Sequence, residues 1–244
     1  MTRGGEFPYR LPSKPVADPA AVITGERYRI TVLTDGLVRL EYSDDGVFED
    51  RASTFAINRQ LPVPDFTVRP AGDHLEVVTS RFRLTYDRGP FSTSGLSLAV
   101  RGGISAYHSV WRYGEKANDL GGTARTLDDT DGAIPLEPGV VSRTGFAVID
   151  DSGSFLFDDD GWVSAGNVPR TDLYVFAYGH DFAEALRALY AVSGPPPVIP
   201  RFALGNWWSR HHRYTEESYL ALLDRFRRDG IPFSVGVVDM DWHL

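Results

Sequence analysis

From Glu26 to Tyr178 the chain is written in short runs of alternating apolar and polar side chains, broken by turn residues. That period of two constrains the fold more than any other feature, because it places one set of side chains on each face of an extended strand. The run "RYRITVLTDGLVRLEYS" alternates around Asp35-Gly36, a strong hairpin signal. "DHLEVVTSRFRLTYD" repeats the arrangement, and "TGFAVIDDSGSFLFDDDGWVS" predicts a third hairpin around Asp151-Ser152-Gly153. Several short strands separated by frequent turns predict a mainly β architecture, an antiparallel sandwich or barrel.

The period then changes. "DFAEALRALYAVSG" carries Phe182, Leu186, Leu189 and Tyr190 at helical spacing, with Asp181 placed to cap the start. Ser193-Gly194 and "PPPVIP" stop that helix, since proline neither continues a helix nor donates to a sheet. The expected domains are therefore 1–194, a β domain with a closing helix, and 195–244. In the second, "RFALGNWW" reads as a short apolar strand. "TEESYLALLDRFRRDG" reads as an amphipathic helix with Tyr219, Leu222, Leu223 and Phe226 on one face. Thr215 suits its cap and Gly230 the residue past its end. "IPFSVGVVDMD" reads as a continuous apolar strand of the kind buried on both faces. Strand, helix, strand is one right-handed parallel unit.

These pieces resemble glycoside hydrolase family 31, the α-glucosidase and α-xylosidase family. "ALGNWWSRHHRYTEESYLALLDRFRRDGIPFSVGVVDMDWHL" is similar to the opening of that family's (β/α)8 barrel. "ITVLTDGLVRLEYSDDGVFEDRAST" is similar to its N-terminal β-sandwich, and "WRYGEKANDLGG" resembles its "GLGEK"-type turn. The helix and the Pro-rich link also match in order, so the resemblance covers about residues 25–244. It implies a galactose-mutarotase-like antiparallel sandwich followed by the first strand–helix–strand of a TIM barrel. It also implies an exo-acting, retaining hydrolase of α-linked sugars, with an aspartate nucleophile and an aspartate acid/base.

Asp239 and Asp241 share a strand face at about 6.5–7 Å between Cα atoms, a spacing that leaves open a retaining pair with carboxyls about 5–5.5 Å apart. The resemblance places both catalytic aspartates on later barrel strands instead, beyond residue 244, so the chain alone is expected to be inactive. By the same resemblance Asp239 grips the non-reducing-end sugar, a task suited to a carboxylate that accepts from adjacent hydroxyls. Asp241 stands beside it. The preceding strand end, "NWWSRHH", offers Arg210 and His211 as pocket residues; His211 stands where the family carries an aromatic. Trp208 is a neighbour of that pocket, although barrel packing is the expected role of Trp207 and Trp208. "LDDTD" resembles the family's "L-W-N-T-D" loop, which makes Asp131 a further sugar-binding aspartate; Asp128 and Asp129 replace the family's aromatic and asparagine.

Other chemistries find little support. The 244 residues are 42% hydrophobic and 24% charged, as in an ordinary globular chain. A net charge of -8 disfavours nucleic-acid and anionic-membrane partners. The absence of cysteine removes disulfides and thiolate catalysis. "LDDTDG" and "LFDDDG" would put Leu127 or Leu156 where a calcium loop needs its first ligand, so no metal or other cofactor is expected. No signal-like segment or membrane span is legible, and the expected compartment is the cytoplasm. The partner that the resemblance implies is an α-linked oligosaccharide or glycoside; oligomeric state is not legible. A bare "FSVGVVDM" edge would invite aggregation, so the sequence is expected to be part of a longer enzyme. The alternative is a non-catalytic carbohydrate-binding sandwich with a short tail.

Overall fold

The chain is described by a computed structural model covering residues 11–102, 109–124, 126–166 and 169–239. Its contacts divide it into two units, Met1–Pro195 and Pro196–Leu244.

The first unit opens with β1 (Val22–Thr24), β2 (Tyr28–Val32) and β3 (Leu37–Tyr42), then β4 (Thr67–Ala71), β5 (His74–Val78), β6 (Phe82–Tyr86), β7 (Leu96–Val100) and β8 (Val110–Arg112). It continues with β9 (Ala147–Asp150), β10 (Leu156–Phe157), β11 (Val163–Ser164) and β12 (Thr171–Phe176), and ends on helix α1 (Phe182–Ser193). One five-stranded antiparallel sheet has the order β1-β2-β3-β12-β9, and a second the order β4-β5-β6-β7-β8. The Asp35-Gly36 hairpin forms as predicted, with Val32 opposite Val38 and Ile30 opposite Leu40. Those four side chains are fully buried and pack with Val77, Leu84 and Leu98 of the other sheet in one core. Each such aliphatic side chain stabilises the fold by about 1.5–3 kcal/mol. The architecture is a β-sandwich.

The other face of the first sheet carries the alternate residues. Half of it packs on α1 through Leu37, Tyr174 and Phe176. The other half holds Arg39, Glu41 and Asp172, all buried and joined as ion pairs.

Two expectations need correction here. The run around Asp151-Ser152-Gly153 turns the chain but makes no hairpin: β9 pairs with β12, and β10 pairs with β11. The reason is the buried Asp151, whose Oδ2 accepts from Ser53 Oγ at 2.7 Å. That contact directs the following chain to the segment 52–57, where the Phe157 amide donates to Ala52 O at 2.8 Å. Helix α1 does use Asp181 as its cap, accepting from the Glu184 amide. Its buried face, however, is Ala185, Ala188 and Val192, while Phe182, Leu186 and Tyr190 are exposed. Small side chains let the helix lie close on the sheet, and close packing outweighs side-chain size.

The second unit is β13 (Trp207–Trp208), α2 (Glu216–Arg228) and β14 (Val235–Gly236), with β13 and β14 parallel and Trp207 opposite Val235. Thr215 and Ser218 form a reciprocal capping box, a device whose N-cap is worth about 1 kcal/mol. At the other end Gly230, at φ 68°, allows the Ile231 amide to reach Phe226 O at 2.9 Å and its own amide to reach Arg227 O. Tyr219, Leu222, Leu223 and Phe226 are half-buried, as their spacing predicts. The strands are shorter than expected. Residues 201–204 of "RFALGNWW" form a 3-10 turn, and only Val235–Gly236 of the long apolar run is in the sheet. Val235 is half-buried and Val238 exposed, because among the described residues β14 has one strand neighbour.

Candidate functional site

The parallel pairing of β13 and β14 brings their C-terminal ends side by side, and the Val237 amide continues the ladder to Trp208 O at 2.8 Å. Neighbouring strands lie about 4.8 Å apart. Arg210 and His211 follow the end of β13 and Asp239 follows the end of β14, so all three leave the same end of the sheet. Each is exposed. Asp241 lies outside the described residues.

Aromatic contacts hold this end of the unit together. The Trp208 ring sits 4.8 Å from Phe226, and Phe226 sits 5.4 Å from Phe233. Trp208 thus packs on α2, and its buried Nε1 meets no acceptor among the described residues. Trp207 is exposed, with Nε1 donating to Ala203 O at 3.0 Å. The rings of His212, Tyr214 and Tyr219 form a chain with spacings of 4.5 and 5.1 Å. The Tyr219 hydroxyl donates to Val237 O at 3.0 Å, two residues before Asp239. Burial raises that phenol above its ordinary range, with Tyr214 adding to the effect. A Cβ at Gly236 would lie 2.8 Å from the Tyr219 oxygen, so a larger residue there would have to displace that hydroxyl.

Asp131 belongs to the first unit, on a loop whose stem is zipped shut. The Leu120 amide donates to Val141 O at 2.9 Å, Gly122 to Glu137 O at 2.7 Å, and Glu137 to Thr123 O at 2.9 Å. The carboxylate of Asp119 closes the stem, its Oδ1 accepting from the amides of Gly121 at 2.7 Å and Gly139 at 3.2 Å. No side chain fits where the two legs meet. A Cβ on Gly139 would lie 2.6 Å from Gly121 O, and one on Gly122 would lie 2.8 Å from Pro138 O. Beyond the stem, Asp128, Asp129 and Asp131 are exposed at the tip; Asp128 accepts from Thr126 Oγ1 at 2.6 Å, and Asp129 has a positive φ of 54°. Asp119 was not singled out from the sequence. The signal that could have found it is an Asx residue two before a glycine pair, a pattern in which the side chain bonds the backbone ahead.

Among the described residues no group of three His, Asp or Glu side chains is placed to hold a metal ion, and no helix is long and apolar enough to cross a membrane.

Residues 196–244 match the model of the glycosyl hydrolases family 31 TIM-barrel domain. The second unit is thus similar to the barrel domain of glycosyl hydrolases family 31. A curated relative, the alpha-xylosidase of Saccharolobus solfataricus, is 28% identical over 129 residues, which are 50% of this chain and 17% of that protein. The Flavobacterium johnsoniae family 31 dextranase, solved with isomaltotriose, has the same fold at TM-score 0.59 and 17% identity, covering 91% of this chain and 32% of that one. A family 31 α-xylosidase from a soil metagenome, solved with xylose, gives 0.58 and 15%, covering 91% and 41%. The chain thus spans less than half the length of these relatives.

Proposed function

We propose that this chain is the N-terminal part of a retaining, exo-acting α-glycosidase that hydrolyses O-glycosyl bonds of α-linked sugars. The observation that carries the reading is the parallel β13–α2–β14 unit within the segment that matches the family barrel. Parallel barrels gather their ligands at the C-terminal ends of the strands, and Arg210, His211 and Asp239 stand there. In this reading the Asp239 carboxylate accepts from two adjacent hydroxyls of the terminal sugar. The Arg210 guanidinium donates to another. His211, in place of the family's aromatic, sets the preference for the glycone. Asp131, on its loop in the first unit, is a further sugar-binding aspartate. The nucleophile and acid/base lie on later strands, so this chain binds and orients sugar but does not cleave it. The substrate is an α-linked oligosaccharide or glycoside, met in the cytoplasm without a cofactor.

The test is a panel of aryl α-glycosides against the full-length polypeptide, with the product anomer followed by NMR. Release of the α-anomer first, and its loss on Asp239→Ala, is the expected result. Inverted product, or full activity in the Asp239→Ala variant, would sink the reading.

A further inference from the structure

The two sheets of the sandwich end on β8 and β9, and between these edges lies a cleft of about 470 Å3. That is within the range of about 300–1,000 Å3 typical of small-ligand sites. Both sheets build it: Trp111 and Tyr113 from the β8 side, Val148 and Leu173 from β9 and β12. Trp111 is buried, and its Nε1 donates to Glu115 O at 3.2 Å. Tyr113 is half-buried, with its ring centroid 5.6 Å from that of Phe91. The cleft therefore has an apolar, aromatic floor held by packing.

Its rim is polar and fixed in orientation. Three carboxylates line the cleft, and each is aimed by backbone amides through one oxygen. Glu115 accepts from the Arg112 amide at 3.1 Å, Asp150 from Ser152 at 3.0 Å, and Asp119 from Gly121 and Gly139. Among the described residues the second oxygen of each accepts no hydrogen bond. Lys116 is the one cation in the lining.

This combination selects a ligand class. Three carboxylates against one ammonium disfavour phosphates and acidic sugars. The described residues hold no cluster fit for a metal ion. A purely apolar ligand would leave the rim carboxylates desolvated and unpaired. A neutral sugar meets every requirement: its C–H face lies on an aromatic ring, its hydroxyls donate to carboxylates, and those bonds are charge-assisted. Acceptors already held in place lose little freedom on binding. We infer that the cleft between β8 and β9 binds a neutral oligosaccharide, gripped by the Tyr113 ring and by Asp119 and Asp150. The inference does not rest on the roles given to Asp131 or Asp239.

The five tryptophans of the chain supply the test. The protein is labelled with 15N-tryptophan, the Trp111 indole signal is assigned through Trp111→Phe, and maltotriose is titrated to about 10 mM, which covers weak millimolar binding. The expected result is a saturable shift of the Trp111 signal. Tyr113→Ala and, as a milder change at the rim, Asp150→Asn should each weaken it about tenfold or more, while Asp239→Ala leaves it unchanged. Three outcomes would overturn the proposal: no Trp111 shift, a shift abolished by Asp239→Ala, or a shift that survives both cleft variants when their folded spectra are intact.

Discussion

Arg39 and Asp172 meet as a two-bonded fork inside the protein, Nε to Oδ1 at 2.8 Å and Nη2 to Oδ2 at 2.6 Å, with both side chains almost fully buried. The pair joins β3 to β12, and Arg39 Nη2 also lies 3.1 Å from Glu41 Oε1. Glu41 in turn takes a second fork from Arg29. Removing one partner strands a buried charge, so Asp172→Ala should destabilise the first unit by about 3–5 kcal/mol. Replacing both, as Arg39→Met with Asp172→Leu, should recover most of that loss. Urea unfolding of the two variants decides the matter, and equal losses would show that the charge itself is not the issue.

Acid stability should depend on Glu49. Its carboxylate takes a bidentate pair from Arg51, with Nε to Oε1 and Nη2 to Oε2 both at 2.8 Å. Hydrogen bonding to Arg51 lowers its pKa from 4.5 to about 2. A depressed folded value means that this contribution is complete above the ordinary carboxylate range and is lost as pH falls from about 4.5 towards 2. Asp151 acts in the opposite sense, since burial raises its pKa and favours the folded state in acid. Glu49→Gln should flatten the decline of the unfolding midpoint below pH 4.5 and leave the trend above it unaltered. An unchanged acid limb would remove Glu49 from the account.

The Asp131 loop should open when its staple is cut. Hydrogen exchange of the Gly122 and Glu137 amides, which bond across the stem, should accelerate about tenfold or more in Asp119→Ala, equivalent to about 1.4 kcal/mol of lost local stability. Asp119→Asn keeps an oxygen acceptor and should show a smaller change. Exchange at Val77, in the core, should not respond in either variant.

The two faces of α1 should answer differently to mutation. Ala188→Leu forces bulk into a packed site and should destabilise by about 1–3 kcal/mol. Leu186→Gln, on the exposed face, should change stability by no more than about 0.5 kcal/mol. Thermal unfolding compares them directly, and the reverse order would restore the larger apolar residues as the buried face.

Some of this protein is legible residue by residue. The alternation in 28–42 and 74–86 determines two hairpins and which side chains face the core, because a period of two leaves one register that buries them. Thr215 and Gly230 mark the ends of α2 because capping is a local interaction, decided within a few residues. Other features were decided only by the tertiary fold. Asp151 turns away from a hairpin because Ser53, about a hundred residues earlier, donates to its buried carboxylate. The α1 face that packs is the one whose small side chains match the sheet, and helical spacing cannot weigh size against fit. Asp119 becomes the staple of the Asp131 loop only when Gly121 and Gly139 meet. The cleft between β8 and β9 exists only because strands distant in sequence form the two edges of the sandwich. Periodicity and capping are short-range and are written in the chain; pairing partners and cavities are long-range and arise from packing.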